Sequence, residues 1–277
     1  MNLLLNIVSL LIALAPLPAL NAHVVEQLES RTYPSPVSET MPDYQASTIP
    51  IKVVTVPLQL TASSAYAIDL DSNQTLYSSR SEVERPIASI TKIVTALVIL
   101  ESHNPSEIIT IPTLPAYSLG DELSGFQPGM QLSINDMLTA LLVQSGNDAA
   151  DALAIIDSGS REAFANKMNR FVDRWSITGA HFSNPSGLVE TGNGASAEAL
   201  AKIGSLALRN PTVTRLIKMP NATITAKDGR ALRVTTTNQL LLSGRFSGIK
   251  TGYTLVAGQC FIGLTTIQGH QVITVIL

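Results

Sequence analysis

The hydrophobic pattern changes character several times along the chain. Between Leu3 and Ala15 every position except Asn6 and Ser9 is apolar, and Pro16 and Pro18 then break the run. From Glu26 to Pro57 neither a helical nor a strand period survives, because prolines at 34, 36, 42, 50 and 57 interrupt a stretch with scattered Ser and Thr. Such a composition predicts an extended tether. Residues 64–79 form two short strand-like runs around Asp71-Ser72-Asn73, a hairpin signal. After Pro86 the segment 87–102 is apolar on nearly every side, which predicts a buried central helix rather than a surface one. Ser133 and Asp136 stand in capping-box spacing at the head of an amphipathic helix over 133–144. Three further helices are predicted over 148–159, 160–175 and 196–210, and strands over 246–254, 258–267 and 271–277, the last two joined by Gln268-Gly269-His270. Two strands, a run of helices and three strands most simply make an α+β domain. Strands from both ends of the chain share one antiparallel sheet, helices pack on it as a separate layer, and a helical region is inserted between.

Composition narrows the class. Of 277 residues 45% are hydrophobic and only 14% charged, against roughly 25% charged in a typical soluble domain, which excludes a disordered or collagen-like chain. The single cysteine, Cys260, can form neither an internal disulfide nor a cysteine zinc site, and reads as a buried strand residue. With 18 Lys+Arg against 21 Asp+Glu there is no basic surface for nucleic acid. The N-terminal apolar run suits a secretory leader and is short of the ~20 residues of a spanning helix, and Ala19 and Ala22 offer small residues for cleavage. The expected organisation is therefore a signal peptide or N-terminal membrane anchor over 1–22, a tether over 23–58 and a folded domain over 59–277, in an extracytoplasmic setting.

Three short motifs carry candidate chemistry. Ser89-Ile90-Thr91-Lys92 opens the apolar helix, and its i, i+3 spacing lets the lysine amine reach the serine hydroxyl. Serine becomes a useful nucleophile when a neighbour takes its proton, and burial lowers a lysine's pKa enough for it to do so. Ser145-Gly146-Asn147 follows the amphipathic helix, where Gly146 is expected to terminate it; the same residues would serve as a plain helix stop and cap. Lys250-Thr251-Gly252 lies on a strand, where a small residue, a hydroxyl and an ammonium could admit a peptide by strand addition and hold its carboxylate. Each motif alone is weak. Their order, with Ser145 56 positions after Ser89 and Lys250 105 after Ser145, is much more specific.

Taken together, S-x-x-K, S-x-N and K-T-G resemble the signature of the penicillin-recognising serine enzymes. The stretches "ERPIASITKIVTALVILE", "LLVQSGNDAADALA", "HFSNPSGL" and "GIKTGYTLVAGQCFIG" look like the low-molecular-weight penicillin-binding proteins, serine-type D-alanyl-D-alanine carboxypeptidases and endopeptidases, over roughly four-fifths of the chain. Gly146, where class A β-lactamases carry Asp, favours that branch, as does the lack of an obvious glutamate-bearing deacylation loop around Glu190. The resemblance implies a β-lactamase/DD-peptidase-like fold and a carboxypeptidase acting on peptidoglycan stem peptides. Ser89 would be the nucleophile, Lys92 its base and Ser145 a proton relay. Asn147 would orient Lys92 and substrate, Lys250 and Thr251 would receive the substrate carboxylate, Gly252 would let substrate lie against the strand, and the backbone N–H groups of Ser89 and Tyr253 would form the oxyanion hole. β-Lactams would be inhibitors; no cofactor or metal is implied, and the histidines at 23, 103, 181 and 270 show no paired zinc-ligand spacing. The alternatives are a cross-link endopeptidase, a β-lactamase, or a catalytically weak penicillin- or peptidoglycan-binding protein. Such proteins add a helix after the last strand, so the expected domain over 59–277 lacks that C-terminal helix.

Overall fold

The alternation after Ser64 becomes a hairpin of β1 (Ala65–Asp69) and β2 (Thr75–Ser79), turned through Asn73 at φ +56°. This computed structural model describes residues 58–277 except 119, 120 and 189–191, so the predicted leader and nearly all of the tether lie outside the described residues. The chain divides into two units, 1–61 and 62–277, and every element below belongs to the second.

Helix α1 (Lys92–Ser102) is buried from Lys92 through Ile99, as its lack of a polar face predicts. Helix α2 (Ile134–Thr139) carries the capping box: Ser133 accepts from the Asp136 N–H while the Asp136 carboxylate accepts from the Ser133 N–H. It runs into a π turn at Ala140–Gln144. Helices α3 (Asn147–Ser158), α4 (Arg161–Arg174) and α5 (Ala197–Arg209) follow where predicted. Between α5 and the final strands come elements that the apolar pattern did not mark: a short helix α6 (Pro211–Leu216), whose Asn210 side chain caps its first N–H groups, and a hairpin of β3 (Asn221–Thr225) and β4 (Ala231–Thr235).

The chain ends in β5 (Ile249–Thr254), β6 (Gly258–Ile267) and β7 (His270–Ile276). Strand β7 pairs antiparallel with β1, Ala65 opposite Ile276 and Asp69 opposite Val272, so the two ends of the domain close one five-stranded antiparallel sheet of order β5-β6-β7-β1-β2. Helix α5 lies on this sheet at Gly204, where an added Cβ would come within 2.7 Å of the Ile262 side chain. Strand β5 is left at the sheet edge, beside the start of α1.

Candidate active site

Ser89 does not sit inside a helix. It belongs to a 3₁₀ turn, Ala88–Thr91, that precedes α1. The tighter turn eclipses positions i and i+3, and Lys92 Nζ lies 2.8 Å from Ser89 Oγ. Ser89 is half-buried, whereas Lys92 is wholly buried. The turn is entered through Ala88 at φ +48°, a left-handed conformation uncommon for a residue with a Cβ. Gly187 supports it from outside: a Cβ there would stand 1.9 Å from the Ala88 carbonyl oxygen.

The Ser145-Gly146-Asn147 corner brings Asn147 to Lys92 and Ser145 to Lys250. Asn147 Oδ1 accepts from Lys92 Nζ at 2.8 Å. The left-handed residue that ends the preceding helix is Ser145, at φ +68°, and not Gly146, whose φ of −58° suits any residue. Glycine is needed at 146 for another reason: a Cβ would fall 2.0 Å from Ser124 Oγ and 2.9 Å from Asp148 Oδ1. The Asp148 carboxylate in turn accepts from the N–H groups of Ser124, Gly125, Phe126 and Ala149. The Asn147 N–H donates to the Glu122 carbonyl at 2.8 Å. The loop 122–126 is thus fixed to the corner by its own backbone.

Strand β5 supplies the third side. Lys250 Nζ, also buried, donates to Ser145 Oγ at 2.9 Å and to the Thr251 carbonyl at 2.9 Å. Thr251 Oγ1 meets Thr237 Oγ1 at 3.1 Å; Thr237, in the loop after β4, is a candidate that the three motifs missed. The absent Cβ of Gly252 faces the Ile87 carbonyl oxygen at 2.9 Å and the Ser89 nitrogen at 3.0 Å. Glycine there lets the strand close on the serine turn. Tyr253 follows with its ring exposed.

A fourth contributor is the Ser183-Asn184-Pro185-Ser186-Gly187 loop. The Ser186 carbonyl accepts from Lys92 Nζ at 2.6 Å, and Thr95 Oγ1 donates to the neighbouring Pro185 carbonyl at 2.7 Å. A backbone acceptor has no residue-type signature, so only the compact Ser-Asn-Pro-Ser-Gly composition pointed to a shaped loop.

Burial dominates the electrostatics. It lowers the Lys92 amine well below the ordinary lysine range, and the nearby Lys250 ammonium pushes in the same direction; Asp151, Glu122 and Asp148 oppose it. Lys250 is lowered by burial to about 7, against the Glu122 charge. Cys260 is buried, as expected, and desolvation raises its thiol to about 12. Among the described residues the one His/Asp/Glu/Cys group close enough to share an ion is Asp69 at the end of β1, Asp71 in the turn after it, and His270 at the start of β7. None of those three touches the serine and lysine cluster.

A serine hydroxyl against a buried lysine whose amine is shifted below the ordinary range, a second serine–lysine pair, and a strand edge alongside make up a candidate serine acyl-transfer site. The family model for D-alanyl-D-alanine carboxypeptidases of peptidase family S11 matches residues 51–277, and the chain belongs to that family. It is 31% identical over 204 residues to D-alanyl-D-alanine carboxypeptidase DacF of Bacillus subtilis, covering 72% of this chain and 52% of the relative. To a D-alanyl-D-alanine endopeptidase of Pseudomonas aeruginosa it is 31% identical over 228 residues, covering 80% of this chain and 73% of that protein. The crystal structure of the Streptomyces K15 DD-transpeptidase superposes with a TM-score of 0.73 at 29% identity, covering 80% of this chain and 92% of that one. The chain spans about half the length of the first curated relatives it matches, 52% and 56%.

Proposed function

We propose that this chain is a serine-type D-Ala-D-Ala carboxypeptidase that cleaves peptidoglycan stem peptides through an acyl-enzyme on Ser89. The observation that carries the reading is the environment of Lys92 Nζ: wholly buried, with three oxygens at 2.6–2.8 Å. A neutral amine has two N–H donors and one lone pair. The Ser186 carbonyl and Asn147 Oδ1 can only accept, so they take the two N–H groups. The lone pair is left for the third neighbour, the Ser89 hydroxyl, which is the arrangement a general base requires.

Ser89 Oγ attacks the carbonyl of the D-Ala–D-Ala bond as its proton passes to Lys92. The oxyanion forms beside the Ser89 N–H and the backbone of Tyr253, where fixed donors stabilise it. The Ser145 hydroxyl, held by Lys250, relays the proton that Lys92 took from Ser89 to the nitrogen of the departing D-alanine, which leaves Lys92 neutral again. Water then cleaves the ester, its proton passing to Lys92 and from there to Ser89 Oγ, and Ser89 is regenerated. Lys250 and the Thr237–Thr251 hydroxyl pair receive the terminal carboxylate. β-Lactams, which present an amide carbonyl and a carboxylate to the same groups, acylate the same serine.

A fluorescent penicillin should label the protein covalently, and Ser89→Ala should abolish the label. Labelling that persists in the Ser89→Ala variant would remove Ser89 from the mechanism. D-Alanine release from a pentapeptide muropeptide separates an enzyme from a binding protein and from a β-lactamase. The similarity to an endopeptidase supports a second reading, tested with cross-linked muropeptide dimer as substrate. The apolar run at 3–15 supports export by a leader or an N-terminal anchor, and hence an extracytoplasmic site of action. Among the described residues no helix is long and apolar enough to cross a membrane.

A further inference from the structure

Two buried asparagines, Asn184 and Asn193, lie behind the Ser186 carbonyl. Asn184 Oδ1 accepts from the N–H groups of Ser186 at 3.2 Å and Gly187 at 2.7 Å, which folds the chain so that the Ser186 carbonyl points at Lys92. Asn193 holds the same loop from the other end. Its Oδ1 accepts from the Ser183 N–H and hydroxyl and from the Asn184 N–H at 2.7–3.1 Å. Its Nδ2 donates to the Asn184 carbonyl at 3.0 Å and to Thr91 Oγ1 at 3.1 Å. Thr91 is the residue before Lys92, so Asn193 links the loop to the turn that carries the serine. Both side chains are more than nine-tenths buried.

We infer that Asn184 and Asn193 act as a clamp of positioning residues that sets the direction of the Lys92 amine through the Ser186 carbonyl. The inference rests on the proposed role of Lys92 as base. If the Ser186 carbonyl swings away, one Lys92 N–H loses its obligate acceptor and the amine is free to rotate. The lone pair then no longer has a single hydroxyl to point at. A carbonyl acceptor also favours the ammonium over the neutral amine, so its loss lowers the pH at which Lys92 gains a proton. The charged groups facing Lys92 stay in place: Lys250 on β5, Asp148 and Asp151 on α3, and Glu122 on the loop before α2.

The test uses the full chain, with Asn184→Ala, Asn193→Leu and the conservative Asn184→Asp, which keeps the two-amide acceptor. Stopped-flow acylation by a fluorescent penicillin separates non-covalent binding from the chemical step, and ε-¹³C-lysine NMR follows Lys92 with pH. Expected for Asn184→Ala and Asn193→Leu is a loss of about 10²-fold in the acylation step with binding nearly unchanged. The Lys92 titration should move to lower pH in both, and Asn184→Asp should restore the acylation step at least in part. A purely structural role would lower the melting temperature and the active fraction while leaving the rate per active site and the Lys92 titration as in the parent chain. That outcome overturns the inference. Failure of the parent chain to acylate at all would instead count against the proposed function, and the NMR titration would still decide the clamp.

Discussion

Replacing Gly146 by alanine tests whether the corner of the site is built by steric exclusion. A generic expectation runs the other way. At φ −58° alanine is comfortable, and Gly→Ala at a compatible position usually stabilises by about 0.4–1 kcal/mol through the unfolded chain. Here the new Cβ would sit 2.0 Å from Ser124 Oγ, 2.9 Å from Asp148 Oδ1 and 3.3 Å from Ser124 Cβ. The Ser124 hydroxyl is itself buried and has little room to turn aside, and the carboxylate is held by four converging backbone N–H groups. Overpacking of this kind costs about 1–3 kcal/mol, and hydrogen bonds to a charged group that are stretched to relieve it add to that. A net loss of about 2 kcal/mol corresponds to a fall of roughly 4–8 °C in melting temperature for a domain this size. The displaced corner also carries Asn147 away from Lys92, so penicillin acylation should slow as well.

The compensating change is Ser124→Ala. Ser124 Oγ is buried without a hydrogen-bond partner, so removing it alone should be close to neutral, and it takes the 2.0 Å overlap with it. In the double variant more than half of the lost stability should return, a coupling measurable by thermal unfolding of the four proteins. A Gly146→Ala protein that melts at or above the parent, or a Ser124→Ala change that rescues nothing, would refute the steric account of Gly146.

Other consequences follow from the same geometry. Gly252→Ala places a Cβ 3.0 Å from the Ser89 nitrogen; it should slow penicillin acylation by about 10²-fold while far-UV circular dichroism stays that of the parent. Thr237→Val removes one partner of the Thr251 hydroxyl and should raise KM for a peptide ending in D-Ala-D-Ala about three- to tenfold, with kcat little changed. Lys250 has an ordinary value of 10.5 and is lowered to about 7 when buried. Between those values the unfolded chain binds the extra proton, so stability should rise with pH from about 7 to about 10. A urea midpoint series should show that slope, and Lys250→Met should reduce it to the share that the buried Lys92 contributes. On the proposed mechanism, loss of the Lys250 charge above about pH 7 should also raise KM for the carboxylate-bearing substrate.

How much of this was legible in residue types depends on what each feature is made of. The sheet that joins β1 to β7 follows from alternation at both ends of the chain and a helical middle, and the capping box at Ser133 and Asp136 appears as spelled. The hairpin β3–β4 went unmarked although Asp228-Gly229 lies between its strands. Its alternation is carried by Thr, Ala and Arg around one buried residue per strand, Ile224 and Val234, so an apolar-only reading sees too little contrast. Helix α6 is six residues long, too short for a helical period to register.

At the site, the order of the three motifs and the family resemblance they carry single out Ser89, Lys92, Ser145, Asn147, Lys250 and Thr251, and the structure brings these six together. Backbone requirements are less legible. Gly146 looks like a helix terminator, yet Ser145 takes the left-handed turn and Gly146 makes room for Ser124. The missing Cβ of Gly252 faces the Ser89 nitrogen, a requirement that no residue type announces. The acceptor that completes Lys92 is a carbonyl, a group every residue carries, and what selects Ser186 for it is the pair of asparagines that bend the chain there. A glycine or an asparagine in such a motif reports where a backbone atom must be, and the atom it serves belongs to a segment distant in sequence. That is why the Ser89–Lys92 pair is readable along one turn of chain, while the groups that surround it emerge only once 122–126, 183–188, 192–193 and 237 have folded against it.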